Sequence, residues 1–386
     1  MVGELYDYMV GIVIVGVIFT SAVFTIPSIS YVNLLQVNQQ QLRNTALNVF
    51  NAMLLGTGCP SDWGSRPFPF DQNNVEVFGL AYSEASSLYV LDMDKVQRLD
   101  GESPWHIDYP YVRDLLRLGD YGFRLAIFRP FTVDWDLRII EATKSVSFSI
   151  VVTRNEDGRP IANARVGCTI LCSAKKERTE DEPMVVVNQA KTFFTNALGK
   201  CGGLETMQIP DGYTIENAVA VLKITVAGIS TMVVANSDET MQNFLKINTF
   251  GDTITLTFRG ELADSEDAKG ERRVKRIMTY TYDDLEQIFE GTGDPTASHV
   301  THGIGFDYWN KTFPGLRAMD PSLLLFVLSV PNPRRQVIVV GPFSFWESSN
   351  VFSFGPDPKG DVVVQLRRYV AVSSMTYIAE LTLWKE

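Results

Sequence analysis

From Tyr8 to Leu42 the chain carries no charged side chain. That gap excludes an ordinary solvated surface helix at this end, because such a helix keeps charges on its outer face. Histidine is scarce, with only His106, His299 and His302, and there are four cysteines, Cys59, Cys168, Cys172 and Cys201. No G-x-S-x-G, P-loop, H-E-x-x-H or dinucleotide fingerprint occurs, so the chemistries those motifs mark are not signalled. Basic tracts are also missing: 34 Lys and Arg stand against 45 Asp and Glu, a formal net charge of −11. The short run 269–276 (KGERRVKR) is interrupted by Glu271. A net acidic surface repels phosphate at long range, so no nucleic-acid partner is expected. These absences lead us to expect no enzymatic activity and no cofactor.

What fills the uncharged stretch is a run of apolar residues. Residues 9–29 (MVGIVIVGVIFTSAVFTIPSI) match the roughly 20 residues that a helix needs to cross a bilayer at about 1.5 Å per residue. The β-branched run would be a poor helix in water, but lipid offers the backbone no partner except itself. Gly11 and Gly16 are five apart and do not make a small-xxx-small dimer face. A buried core helix fits less well, since the segment is apolar on every side. A cleaved signal peptide would have a basic leader and a small-residue cleavage site; here the leader is MVGELYDY, with Glu4 and Asp7 and no basic residue. We expect a retained single-pass anchor, whose orientation no nearby basic flank specifies.

Residues 30–56 continue as an amphipathic helix beyond a kink expected at Pro27. Leu35, Leu42 and Val49 recur at intervals of seven, Ala46 and Met53 extend the stripe, and Gln39 interrupts it. The stripe reads either as a face laid on the chain's own globular domain or as a stalk for assembly with other subunits. Gly56 and Gly58 end it, before Cys59-Pro60.

About 330 residues follow, enough for two domains with real cores. Residues 59–80 read as an ordered loop, 92–99 (DMDKVQRL) as a short helix capped by Asp92, and 109–118 as another ending at Gly119. Phe123, Leu125 and Ile127 then alternate as a strand. From 144 to 243 short strands separated by turns indicate a β-sandwich: 146–152, 162–166, 183–187, 191–195, 218–226 and 230–235. Past 245, strands are expected at 253–259, 274–282, 323–330, 335–340, 361–372 and 375–384, the last two as a hairpin around Ser373 and Ser374, and a helix at 283–290 (DDLEQIFE). Residues 59–143 hold too few strands for a sheet of their own, and the last third lacks an opening helix. The fold class is therefore mainly β with a long N-terminal transmembrane and stalk helix (1–58), and a discontinuous α+β host domain (59–143 and 244–386) carrying an inserted β-sandwich (144–243).

Four cysteines allow three complete pairings, and sequence does not choose among them. Cys168 and Cys201 could bridge two strands, with Cys172 and Cys59 paired or free; such bridges would favour an oxidising compartment. Asn310-Lys311-Thr312 is a glycosylation sequon. His299, His302 and Asp307 are a weak metal-ligand set, better read as a loop packed around Phe306, Tyr308 and Trp309, so no metal site is expected. His106 beside Trp105 and near Asp108 reads as a hydrogen-bonded surface group.

Two resemblances cover parts of the chain. NEDGRPIANARV and the later TFFTNALGKCG resemble the sheet-edge signatures of immunoglobulin-like surface modules, the carboxypeptidase-regulatory-like and invasin-like kinds; these are mostly spacers or adhesion surfaces. An apolar span running into an amphipathic helix and then a β-rich head resembles archaeal type IV pilin and pseudopilin-like surface proteins. NVFNAMLLGTGCPSDWG, LDMDKVQRL, YVRDLLRLGDYGFRL and the terminal YIAELTLW carry that likeness. One departure is that Gly3-Glu4 lacks the basic neighbour of a class III signal peptide. The resemblance implies a plasma-membrane protein with its large domain outside the cell, in contact with lipid and with copies of itself or other surface subunits. An adhesin-like binding protein is the alternative reading, and an exported enzyme a more distant one.

Overall fold

One α-helix, α1 (Val2–Leu55), runs unbroken through the expected span and the expected stalk, and through Pro27. The computed structural model describes residues 2–66, 70–83, 89–101, 105–176, 184–188, 190–237, 245–258, 273–281, 284–290, 307–316, 324–332, 335–341, 351–359, 362–372 and 375–386, in places by backbone course alone. Gly56 closes the helix, its N–H donating to Ala52 O at 3.1 Å.

The two ends of α1 have opposite surroundings. Residues 9–21 are exposed throughout, Ile12 at 71% and Phe19 at 69%. Leu42, Ala46, Val49, Phe50, Met53 and Leu54 are instead buried in the main core. Among the described residues no helix is long and apolar enough to cross a membrane; of the expected span, only the side chains of 9–21 are described. The free-stalk expectation is corrected over 42–54, where the stripe lies on the chain's own head. Burying side chains of this size contributes roughly 1.5–3 kcal/mol each, so the stripe supplies on the order of 10 kcal/mol before the entropy of ordering.

The head begins with β1 (Val90–Leu91), α2 (Met93–Gln97), α3 (Tyr109–Leu115) and β2 (Tyr121–Phe128). Next come β3 (Phe131–Ile140), β4 (Ser145–Arg154), β5 (Arg165–Lys176), β6 (Met184–Val187), β7 (Lys191–Phe194), β8 (Lys200–Thr206), β9 (Tyr213–Val226) and β10 (Ile229–Asn236). They are followed by β11 (Leu245–Phe250), β12 (Thr253–Phe258), β13 (Arg273–Thr281), β14 (Asp284–Glu290), β15 (Asp307–Thr312), β16 (Leu324–Asn332) and β17 (Arg335–Gly341). The chain closes with β18 (Val351–Phe354), β19 (Val363–Val372) and β20 (Met375–Lys385).

The sheet that seats α1 has the order β1-β19-β20-β2-β18, so its strands come from both sides of the long middle segment. α1 packs on β19 and β20. β19 and β20 pair antiparallel from Val363↔Trp384 to Val372↔Met375, the hairpin expected around 373–374. Inward-facing Phe123, Leu125 and Ile127 of β2 are fully buried, and Gly122 is required by contact: a Cβ there would lie 2.5 Å from the indole of buried Trp384.

β3-β4-β8 and β10-β9-β5-β6, with β7 also on β5, are the two sheets of the middle segment. Their facing side chains, among them Ile150, Val152, Val166, Ile170, Leu222 and Ile224, share a second core. The sandwich opens earlier than 144: β3 pairs with β4 from Phe131↔Arg154 to Ile140↔Ser145, and residue 144 sits in the turn between them. Residues 245–341 add two smaller sheets, β11-β12-β15 and β14-β13-β16-β17. There the helix expected at 283–290 is corrected to a strand, since β14 pairs with β13 from Arg276↔Glu290 to Thr281↔Asp284. Leu, Glu and Gln favour helix only weakly, and a pairing partner outweighs that preference.

Candidate functional site

The segment LDMDKVQRL places five polar side chains, Asp92, Asp94, Lys95, Gln97 and Arg98, inside the head. Asp92 caps α2, its Oδ1 accepting from Asp94 N at 3.0 Å. Lys95 is wholly buried; its Nζ donates to Thr57 O at 2.9 Å and Ala81 O at 2.7 Å and lies 3.7 Å from Asp92 Oδ2. Arg98 donates to Gly64 O at 2.9 Å, Arg66 O at 3.1 Å and Trp105 O at 3.1 Å. Its guanidinium lies between the rings of Phe70 and Phe250, at 4.1 and 3.9 Å from their centroids. Burial lowers the Arg98 pKa to about 9, against the opposing pull of Asp94. Gln97 reaches the other way, accepting from Thr249 N at 3.0 Å and donating to Thr249 O at 3.1 Å. These bonds tie α2, the segments that follow α1 and β11 into one unit. Each buried cation is spent on backbone carbonyls, so the cluster is structural.

The expected site residues fall in separate places. Leu42, Ala46, Val49 and Met53 are in the main core; Leu35 lies on α1 with its side chain outside the described residues. All four cysteines are free, so the expected disulfides are corrected. Cys59 is exposed beside Glu76, whereas Cys172 is fully buried in the sandwich core, and these locations keep that pair apart. Cys168 and Cys172 face the same core from β5, while Cys201 comes from β8 on the opposite sheet and packs against that core. Burial pushes the Cys168 and Cys172 thiols up to about 12 and raises that of Cys201.

His299 and His302 lie outside the described residues. Asp307 opens β15, and Asn310 pairs there with Thr255 of β12. Among the described residues no three His, Cys, Asp or Glu gather as a metal site. His106 Nε2 sits 3.2 Å from Asp108 Oδ1, and Asp108 Oδ2 also accepts from Gln72 Nε2 at 2.8 Å. This is a half-exposed surface pair.

The concave feature that sequence reasoning missed is a cleft of about 640 Å³ on the outer face of the sandwich. Arg165, Lys191 and Lys223 line it together with Thr192, Thr225 and Ser230, and among the described residues no acidic one does. Those residues are up to 65 positions apart in sequence, and only the pairing of β5 with β7 and β9, and of β9 with β10, brings them together. The one early signal was Gly167, a glycine inside an otherwise regular strand. Comparison with known protein families finds no family whose model matches this chain, and comparison with curated proteins finds no similar relative.

Proposed function

We propose that this chain is a non-enzymatic, membrane-anchored structural or assembly subunit of a cell-surface filament or complex, pilin-like in plan. The observation that supports it is the two-part surrounding of α1. Its 9–21 stretch holds exposed apolar side chains on all sides, and the same helix is riveted into the head by Leu42 to Leu54. A helix apolar all round is stable only when lipid or another apolar surface covers it. The uncharged sequence 9–29 is long enough for lipid to do so. In this reading the large domain faces outward and partner subunits meet the exposed length of α1, not the buried stripe.

The test is alkaline carbonate extraction of native membranes, followed by mass spectrometry of the N-terminus and crosslinking from cysteine introduced at Val37, which is exposed. Retention in the pellet with crosslinks to other copies or other membrane proteins is the expected result. Release by carbonate would refute the anchor, and retention without any crosslink would refute the assembly role.

The cleft on the sandwich supports a second reading, surface binding in the manner of an adhesin, because a concave face whose described charged residues are all basic is out of keeping with the chain's net charge.

A further inference from the structure

The outer face of the sheet β10-β9-β5-β6 changes character partway along its strands. On one part Leu171, Val219, Val221, Met232 and Val234 are buried in the main core, together with Ile338 of β17. Two asparagines seal that contact: Asn217 Oδ1 accepts from Ile338 N and Asn236 Nδ2 donates to Ile338 O, both at 3.2 Å. Two residues further along each strand the same face becomes polar. β5 presents Gly167 and Arg165 beyond Thr169 and Leu171, and β9 presents Lys223 and Thr225 beyond Val219 and Val221.

Register arranges these side chains in rows across four strands. One row is Phe194, Arg165, Thr225 and Ser230; the next is Thr192, Gly167, Lys223 and Met232. Directly opposed residues point to the same side of a sheet, and diagonal neighbours lie about 7–8 Å apart, within joint reach of one small anion. Arg165 and Lys223 are such a diagonal pair. Thr225 Oγ1 and Ser230 Oγ are 2.9 Å apart in the first row. At the edge Lys191 holds buried Glu205 at 2.5 Å, so its charge is partly offset, whereas Arg165 is exposed and makes no ion pair among the described residues.

Gly167 is an independent sign of a ligand. Glycine inside a strand weakens it and marks a place where something approaches closely. Neither usual internal reason applies: its φ is not positive, and an added Cβ would meet only Lys223 atoms at 3.8 Å, an ordinary contact. The missing side chain instead leaves the cleft floor open. At the rim Phe194 is 63% exposed and stands directly opposite Arg165.

We propose that this cleft binds an acidic saccharide. Arg165 and Lys223 take a sugar carboxylate, for which guanidinium has the matching fork of donors. The hydroxyls of Thr192, Thr225 and Ser230 bond ring hydroxyls, being donor and acceptor at once. Phe194 covers the apolar face of a pyranose ring. The volume is within the range of about 300–1,000 Å³ found for small-ligand sites. Two cations on this outer face, Arg165 and Lys223, are too few for a long polyanion, which is held by a stripe of basic residues. The cleft lies on the sandwich alone, so this inference does not depend on whether α1 is anchored in lipid.

The test is isothermal titration calorimetry of the full chain in detergent with a galacturonate trisaccharide, at low and physiological salt. A neutral galactose trisaccharide, inorganic sulfate and inorganic phosphate are titrated in parallel. We expect binding of the galacturonate and at least tenfold weaker binding of the other three. Arg165→Gln should weaken galacturonate binding at least tenfold and Phe194→Ala severalfold. Gly167→Val, which fills the floor with a good strand former, should abolish it with the melting temperature unchanged or raised. Lys200→Gln, an exposed charge on the other sheet, should leave affinity unaltered. Absence of galacturonate binding overturns the proposal. Equal binding of sulfate or phosphate reduces the cleft to a simple anion site and overturns the saccharide assignment, and binding insensitive to Arg165→Gln and Gly167→Val places it elsewhere.

Discussion

Lys95 is a buried side chain whose ammonium donates to two backbone carbonyls beside the carboxylate of Asp92. Its ammonium satisfies the carbonyls of Thr57 and Ala81, in segments that follow α1, and no part of it reaches solvent. Lys95→Met keeps the stem and removes the donors, leaving two buried carbonyls without their bonds and Asp92 without its neighbouring cation. We expect a loss of about 2–4 kcal/mol in a urea titration followed by tryptophan fluorescence. The cysteines offer a second residue-level check. At pH 8 iodoacetamide should modify exposed Cys59 and spare Cys168 and Cys172. Only the thiolate reacts, and a thiol displaced upward stays protonated below its folded pKa. With both buried thiols pushed to about 12, raising the pH to 10 should still leave them unlabelled in peptide mass spectra. Labelling of either at pH 10 without unfolding would contradict their burial.

Single elements show where the sequence could be read and where it could not. The cap at Asp92, the β19–β20 hairpin and the alternation of β2 were local patterns, and local patterns are readable. β3 is hard to read from sequence although FTVDWDLRII alternates cleanly, because Asp134, Asp136 and Arg138 at its outward positions disguise a strand as a polar loop; Phe131, Val133 and Leu137 face the core. β8 was hidden by Gly202 and Gly203, which carry no side-chain pattern. The stripe on α1 was legible as a face, but its covering was not, since the strands that cover it lie more than 300 residues away. That helix supports a prediction at its own scale. Leu54→Ala should cost about 2–5 kcal/mol of head stability, as expected for a buried leucine on a rigid seat. Ile14→Ala, on the exposed length of the same helix, should leave thermal unfolding of the head in detergent unchanged. Equal effects of the two would mean that α1 is not seated as described.

At the scale of the molecule, the cleft belongs to the same class of hidden information as the seat of α1. Arg165 and Lys223 look like scattered surface charges until β5 and β9 are paired. The host sheet shows the same dependence on long-range pairing most plainly. β20 lies at its centre, between β19 and β2, pairing Tyr121 with Lys385 and burying Trp384. Closing so long a loop is slow compared with local pairing. The sandwich, by contrast, is contiguous from 131 to 236. A chain cut after residue 374 should keep a protease-resistant sandwich fragment, with the host segments digested around it. Resistance of the host in that truncated chain would show that β20 is dispensable.

The central strand is made by the ribosome after every other strand of its sheet, and it is part of the seat on which the N-terminal helix rests. A nascent chain therefore carries the apolar length of α1 long before it can complete the seat. During synthesis the 42–54 face of α1 waits for β20, so a copy interrupted before that strand holds its helix unseated. Synthesis of β20 thus becomes, in this architecture, the step that lets the 42–54 face of α1 take its full seat.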